Sequence, residues 1–339
     1  MCYSIYTEPA GREFTSCSAI EYISLARAAA SVKAPDITLW RARTKAQLIG
    51  LVALNSYFWA PIGKYACIPV LNCYACSLAT TACPVGTITA FALLREIPYY
   101  VIGTLGMIGV AVGRLFCGWA CPFGLVQDLL YRIRSPKWRL PRGANAVKYA
   151  LLLVLVIAVP IALGGGAQKA GADRVVKQST GAADYCALVC PVGTLEAGVP
   201  GLVINKKIRE DMSWRSWLKL GILAAVLGLM IVSRRSFCRT LCPLGAVMAM
   251  TSGASFFHLS TDRDRCTRCM ACVSACPTCA RTVPDETRRK EATAECVLCL
   301  ECVRGCPEPE ALCAKLGAKT VMTSNSQPAP AAHEGAISA

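Results

Sequence analysis

The sequence predicts a mainly α-helical membrane protein that is followed by a small α+β domain. Four apolar runs, each about long enough to cross a hydrocarbon core of roughly 30 Å, are separated by polar loops. Apolar runs and cysteine motifs recur in the same order in two halves of the apolar part. A dense group of cysteines follows the last run. We therefore expect a four-helix transmembrane bundle built of two parallel repeats, with re-entrant segments on its outer side.

Composition supports this class. Of the 339 residues, 54% are apolar and 17% are charged, and the mean hydropathy is +0.44. The predicted domains are a cytoplasmic N-terminal segment, a membrane domain, the small domain and a disordered tail, at 1–45, 46–258, 259–315 and 316–339. The predicted spans are 46–62, 97–116, 146–163 and 216–233.

The basic residues predict the orientation. They are concentrated in the loop between the second and third spans and just after the fourth span, at Arg132, Arg134, Lys137, Arg139, Arg142, Lys148, Arg234, Arg235 and Arg239. Such loops lie in the cytoplasm. Both termini and the small domain should then be cytoplasmic, in a multi-pass protein of the inner membrane. The net charge of +15 is explained by this topology and does not indicate nucleic-acid binding.

The small domain contains a cysteine pattern that is specific for iron–sulfur clusters. The run C-x2-C-x2-C-x3-C-P occurs twice, and in bacterial ferredoxins its fourth cysteine binds the other of two [4Fe–4S] clusters. One cluster would then be held by Cys266, Cys269, Cys272 and Cys306. The other would be held by Cys296, Cys299, Cys302 and Cys276. Zinc is the alternative for paired C-x2-C, but four zinc ligands would leave the third cysteine step and the C-P without a use.

The two membrane repeats contain further cysteine pairs. Each half has C-P-V-G-T, then a span, then R-x-F-C-x3-C-P-x-G. The C-x3-C pairs follow the cytoplasmic ends of spans two and four and could supply four thiolates to one shared cluster from Cys117, Cys121, Cys238 and Cys242. Proline after the second cysteine of each pair should start a helix, since it is tolerated in a first helical turn. A zinc site, or thiols without a metal, remains the alternative.

The loops on the opposite side hold more cysteines. Aligning the two C-P-V-G-T segments suggests a fourth cluster from Cys76, Cys83, Cys186 and Cys190, with Cys73 as the alternative to Cys76. Disulfides compete with this interpretation because that side of the membrane can be oxidising. The apolar run Pro84 to Leu94 is too short to span and suits a re-entrant half-helix, which would sink the outer cluster below the surface.

The paired F-C-G-W-A-C-P-F-G and F-C-R-T-L-C-P-L-G segments, the four spans and the double ferredoxin motif resemble the NapH-like membrane polyferredoxins. These are quinol-dehydrogenase subunits that serve periplasmic nitrate reductase. The resemblance covers about residues 45 to 310. It implies iron–sulfur ligation at the C-x3-C-P and ferredoxin cysteines, and transfer of electrons from quinol to a redox partner. The outer cysteines depart from the family pattern and point to a variant with an extra relay on the outer side.

Function is therefore predicted to be electron transfer by an iron–sulfur membrane subunit between a quinol or cytoplasmic donor and a partner reductase. The sequence contains no Walker loop, dinucleotide fingerprint or nucleophile constellation, so substrate chemistry should belong to the partner. Lipid, a redox protein and quinone are the expected partners. The alternative is a maturation or regulatory factor for a respiratory metalloenzyme.

Overall fold

Helices make up most of the protein, and a three-stranded sheet lies near its C-terminal end. The computed structural model describes residues 37–324 except 60–62, 74–75, 77, 139, 164–183, 211, 268, 270 and 279–293. In the first repeat the helices are Ile37–Leu54, Pro84–Leu94, Tyr99–Val112, Leu115–Trp119 and Pro122–Leu130, with 3-10 turns at Tyr57–Trp59 and Arg142–Asn145. In the second they are Ala146–Leu151, Leu152–Ala158, Val159–Leu163, Tyr185–Leu188, Pro191–Gly193, Thr194–Gly198, Val199–Ile204, Lys206–Glu210, Trp214–Val232, Ser236–Thr240 and Pro243–Ser252.

Among the described residues, two helical stretches are long and apolar enough to cross a membrane. They are Gly143–Leu163 and Trp214–Val232, close to the predicted third and fourth spans. Only 22% and 17% of their apolar windows are buried, so most of their side chains face outward, unlike those of the core helix of a soluble protein. Gly143–Leu163 takes a π-helical turn at Leu152–Ala158 before Pro160, which has no N–H to donate to the preceding turn.

The first predicted span is displaced. The helix runs from Ile37 to Leu54 instead of 46–62, and the side chain of Asn55 ends it by donating to the carbonyl of Leu51 at 3.0 Å. Arg43, expected in the cytoplasmic segment, lies in this helix with only 2% of its surface exposed. Ion pairs make this burial favourable, and sequence hydropathy does not register them.

The second predicted span, 97–116, is shorter and broken. Its helix is Tyr99–Val112, and it ends at Gly113, whose φ of 58° is readily adopted only by glycine. At about 1.5 Å per residue, 14 residues extend about 21 Å, less than a full hydrocarbon core. Two of the four predicted spans therefore meet the criteria of length and hydropathy, and the four-span bundle is taken up below as a proposal.

Buried ion pairs join the first helix to the second repeat and to the small domain. Asp128 accepts from Arg43 at 2.6 Å and from Arg235 at 2.7 Å. Arg43 also pairs with Glu301, which Arg234 contacts at 2.7 Å. Burial opposes the charge of Asp128, but the guanidinium of Arg235 outweighs this and holds the pKa of the carboxyl well below its usual range.

A second ion-pair cluster is centred on Glu295. Its carboxylate accepts from Lys148 at 2.6 Å and from Arg114 at 3.1 Å, and the side chains of both bases are almost fully buried. Burial raises the pKa of Glu295, but Arg114 and then Lys148 outweigh it and lower the pKa overall. Glu295 directly precedes the second cysteine run and Glu301 lies within it, so the ion pairs of both acids hold that run against the preceding helices.

The small domain is built on an antiparallel sheet. Its strands are Phe257–Thr261, Leu312–Leu316 and Lys319–Thr323, in that spatial order, with Phe257 opposite Leu316. Short helices at Ala271–Ala275 and Glu301–Arg304 lie between the first two strands in sequence. The strand Lys319–Thr323 occupies the start of the tail predicted to be disordered from 316, because it pairs with the preceding strand. The rest of that predicted tail, from 325, lies outside the described residues.

Replacing Asp128 with Asn should leave the buried guanidinium of Arg235 without its carboxylate partner, and that of Arg43 with Glu301 alone. We expect a loss of about 3–5 kcal/mol in the free energy of unfolding, measured by denaturant titration in detergent. The difference should shrink as the pH falls below about 4, where Asp128 of the unfolded chain takes up a proton. The control is Glu210→Gln, which breaks an exposed pair with Lys206 and should leave the midpoint nearly unchanged. Equal midpoints for both variants would contradict this role of Asp128.

Candidate metal centres

The C-x3-C pairs of the two repeats meet in the interior. We call Cys117, Cys121, Cys238 and Cys242 the inner group, and all four are buried. Burial first, and then the neighbouring thiols of Cys238 and Cys117, raise the pKa of Cys121 to about 12. Cys242 likewise interacts electrostatically with the other three. Burial therefore opposes the ionisation of these thiols, and a bound metal would supply the charge that compensates thiolates at this place.

Local sequence explains this convergence. Cys121 and Cys242 each occupy the position before a helix, with Pro122 and Pro243 as the first helical residues. The predicted role of the prolines is confirmed. At the second pair, the N–H of Gly245 donates to the Cys242 sulfur at 3.2 Å, so the helix start also supplies a hydrogen bond to the ligand.

Each repeat contributes an arginine to the ligand loop of the other. Arg235 donates to the carbonyl of Cys117 at 2.8 Å, and Arg114 donates to the carbonyl of Cys238 at 3.4 Å. Gln127 donates to the Cys238 sulfur at 3.0 Å. A [4Fe–4S] cluster with four thiolates carries net negative charge, so two buried cations and a sulfur-directed N–H suit such a group.

The ferredoxin cysteines also form two groups. The second ferredoxin group is Cys276, Cys296, Cys299 and Cys302. Burial, and then the thiols of Cys299, Cys296 and Cys276, raise the pKa of Cys302 well above its usual value. The first ferredoxin group is Cys266, Cys269, Cys272 and Cys306, in which Cys306 interacts with Cys269 and Cys266. The fourth cysteine of each run thus interacts with cysteines of the other run, and its ligation of the other run's cluster stays a prediction.

On the far side of the inner group, Cys73 takes the position predicted for Cys76. We call Cys73, Cys83, Cys186 and Cys190 the outer group. Burial raises the pKa of the Cys190 thiol to about 12. The N–H of Gly193 lowers this pKa, whereas the thiols of Cys83 and Cys73 raise it further. Cys186 interacts with the other three members. Cys76 is buried one turn away, with its N–H bonded to the Cys73 carbonyl at 2.9 Å.

Contacts with the second repeat explain this choice of Cys73. Its backbone N–H donates to Glu196 at 2.7 Å, which draws residue 73 towards Cys190. Burial raises the pKa of Glu196 to about 7, against the opposing effect of that hydrogen bond. Gly193 leaves the space beside the sulfurs open, since an added Cβ there would lie 3.3 Å from the Cys73 sulfur.

The thiols of the described residues are compatible with the ligation of a cluster. Every cysteine in the described ranges is a free thiol. Within the same ranges, no three His, Cys, Asp or Glu side chains converge tightly enough to hold one metal ion. In a [4Fe–4S] cube each thiolate binds a different iron, so the four sulfurs surround a volume and do not point at one atom.

The inner group and the second ferredoxin group are in contact. Cys117, Val297 and Cys299 pack together as one buried cluster. The indole of Trp119 donates to the carbonyl of Leu298 at 3.0 Å. A Cβ added at Gly118 would collide with the carbonyl oxygen of Val297, so glycine permits this close approach.

Sequence reasoning missed the polar residues around the inner group. Arg114 and Arg235 stand in the repeated R-x-F-C segments, and this repetition was a usable signal. Gln127 and Asp128 gave none, because they follow only the first C-P and have no counterpart in the second half. The partners of Glu295 and Glu301 lie between 67 and 258 residues away in the chain, beyond the reach of local patterns.

Comparison with known proteins agrees with this chemistry. A family described as "4Fe-4S binding domain" matches residues 100–141, 185–209 and 216–259. A second 4Fe-4S binding domain family matches residues 257–278. The first covers both C-x3-C-P pairs, and the second covers the first ferredoxin run. No solved structure matches.

Several curated relatives have names that refer to ferredoxins or electron transport. The methylamine utilization ferredoxin-type protein MauN of Methylorubrum extorquens is 29% identical over 59% of this chain and 57% of its own. The putative electron transport protein YccM of Escherichia coli is 22% identical over 77% of this chain and 71% of its own. The ferredoxin-type protein NapH of Escherichia coli is 25% identical over 50% of each chain. The resemblance predicted from the motifs is confirmed: the chain contains 4Fe-4S binding domains and is similar to ferredoxin-type iron–sulfur proteins, some of which are named for electron transport.

Proposed function

We propose that the protein is a multi-pass membrane subunit that relays electrons through four [4Fe–4S] clusters between a quinol or cytoplasmic donor and a partner reductase. The observation that carries this proposal is the buried cluster in which Cys117 of the inner group and Cys299 of the second ferredoxin group pack with Val297. Electron tunnelling weakens steeply with distance, and this cluster brings the two groups close together in the interior. The first ferredoxin group, with Cys269 exposed, would then face the soluble side.

The chain's own residues would set the conditions for this relay. Bound clusters would supply one-electron chemistry at the four cysteine groups. Arg114 and Arg235 would balance the negative charge of the inner group, and Gln127 would stabilise added charge on the Cys238 sulfur. The ion pairs of Glu295 and Glu301 would hold the second ferredoxin group at a fixed distance.

The outward-facing side chains support a membrane location with four spans. The helix Ile37–Leu54 exposes Ile49 and Val52 at 70% each, although basic residues keep its hydropathy low. Exposed aromatic residues stand near helix ends or in a connecting loop, as in the aromatic belts at membrane surfaces. They include Phe58, Trp59, Tyr99, Trp138, Trp214 and Trp217. The basic loops favour a cytoplasmic ferredoxin domain, with the outer group on the opposite side.

Metal analysis tests the relay. Anaerobically purified protein should contain about 16 irons and equal acid-labile sulfide per chain, as four cubes of four. Low-temperature EPR during reductive titration should show all four groups taking up one electron each. About 12 irons would remove the outer group from the proposal.

Two neighbouring cysteines provide a matched pair for the outer group. Cys73→Ser should lose about four irons, whereas Cys76→Ser should keep the full content, because Cys73 is the thiol that meets Cys190. Iron and sulfide content, measured beside far-UV circular dichroism to check folding, would decide. Loss of iron from the Cys76 variant alone would restore the assignment made from the sequence.

The contact at Gly118 can be tested in the same way. Gly118→Val should force Val297 away and slow electron transfer between the second ferredoxin group and the inner group, with iron content retained. Rapid-freeze EPR after reduction of the ferredoxin groups would follow this step. The control is Gly103→Val, because the space around Gly103 is open. Equal transfer rates in both variants would contradict a relay through this contact.

Purification with native partners addresses the alternative. A reductase bound to the protein would support the relay. A metal chaperone or an oxidase subunit would instead support the role of a maturation or regulatory factor.

A further inference from the structure

Two consecutive peptide units lie between the inner and outer groups. Leu71 lies in one buried core cluster with Cys121 and Cys242, against which Cys83 and Cys190 pack. The backbone of Leu71 acts on the Cys121 thiol, and that of Asn72 acts on the Cys83 thiol. Both residues are almost fully buried, with 4% and 1% of their surface exposed. The Asn72 side chain donates to the carbonyl of Leu54 at 2.7 Å and fixes this segment against the first helix.

Tyr185 forms a second connection. Its carbonyl accepts the N–H of Cys190 at 2.9 Å, and its hydroxyl donates to the carbonyl of Leu241, the residue before Cys242, at 3.1 Å. The side chain is 1% exposed and interacts electrostatically with thiols of both groups. Through its backbone carbonyl and its hydroxyl, Tyr185 thus links an outer ligand to the residue before an inner ligand.

We propose that the inner and outer groups act as one coupled redox pair, bridged by the Leu71–Asn72 peptide and by Tyr185. The inference rests on the proposed function, since it requires clusters in both groups. One electron passes between the two groups, and no bond forms or breaks. The second ferredoxin group is the immediate source or sink on one side, and a one-electron redox protein at the outer face serves on the other.

This pairing explains how a relay could cross the membrane domain. Two groups confined to opposite membrane surfaces would be separated by the full hydrocarbon core of roughly 30 Å. Here the helices that follow Cys83 and Cys190 start inside the fold, so both outer ligands reach segments that also contact the inner ligands. Tyr185 acts as a positioning and bridging residue, distinct from the ligands themselves.

The coupling can be tested by EPR spectroscopy of the full-length protein in detergent, reduced with dithionite under anaerobic conditions. Two paramagnetic groups that are bridged in this way should give an EPR spectrum of the inner group that is broadened or split. In Cys190→Ser, which should lose the outer cluster and about four irons, the inner-group signal should become narrow. The inference would be overturned if the parent has its full iron content, the variant loses iron, and the EPR signal of the inner group is the same in both. The proposed relay would still stand in that case. A parent protein with about 12 irons would instead remove the outer site itself.

The role of Tyr185 needs a variant that keeps the core packed. Tyr185→Phe removes only the hydroxyl bond to Leu241, so iron content and signal splitting should stay as in the parent. Electron equilibration between the groups, followed by rapid-freeze EPR after flash reduction, should become slower. The control is Tyr131→Phe, whose ring contacts Lys137 instead. Equal rates in the parent and both variants would show that Tyr185 only fills the core.

Discussion

The fold depends on keeping negative charge stable in a buried place. Four thiolates of the inner group require positive charge nearby, and Arg114 and Arg235 supply it from opposite repeats. A buried guanidinium is itself costly unless a carboxylate compensates it, and Glu295 and Asp128 do so. Metal ligation, the packing of the two repeats and ion pairing therefore depend on one another. Removing one of these charges would leave the charges next to it buried without compensation.

The same charges determine where the ferredoxin domain sits. Glu295 precedes the second cysteine run and Glu301 stands inside it, so each ion pair acts within one residue of a ligand. Arg43 joins the first helix to this arrangement through both Asp128 and Glu301. A docking surface made of apolar residues alone would allow sliding, whereas directional pairs with guanidinium groups fix register as well as contact. Gly118 then lets the backbones approach closely enough for Cys117 and Cys299 to pack together.

The part of this structure that the sequence could predict is the part governed by local spacing. The C-x2-C and C-x3-C-P runs predict which thiols converge, and proline after cysteine predicts the helix starts at Pro122 and Pro243. The helix Pro84–Leu94 has the bounds that its apolar run indicates. Hydropathy did not locate the first helix, because the cost of burying Arg43 is offset by ion pairs with residues distant in sequence. Cys73 could not be chosen over Cys76 for the same reason, since Glu196 in the other repeat positions it.

The repeats are similar in sequence but provide unequal electrostatic surroundings for the two membrane groups. Gln127 donates to an inner sulfur, and the corresponding position after Cys242 is Met248, which cannot donate. The outer group has carboxyl neighbours, because Asp184 interacts with Cys186 and Glu196 bonds to Cys73. Cations and hydrogen bonds to sulfur favour an added electron, and nearby carboxylates oppose it. With clusters in both groups as proposed, the inner group would therefore hold an electron more firmly than the outer one. The unequal surroundings of the two repeats would then give electron transfer between the groups a preferred direction.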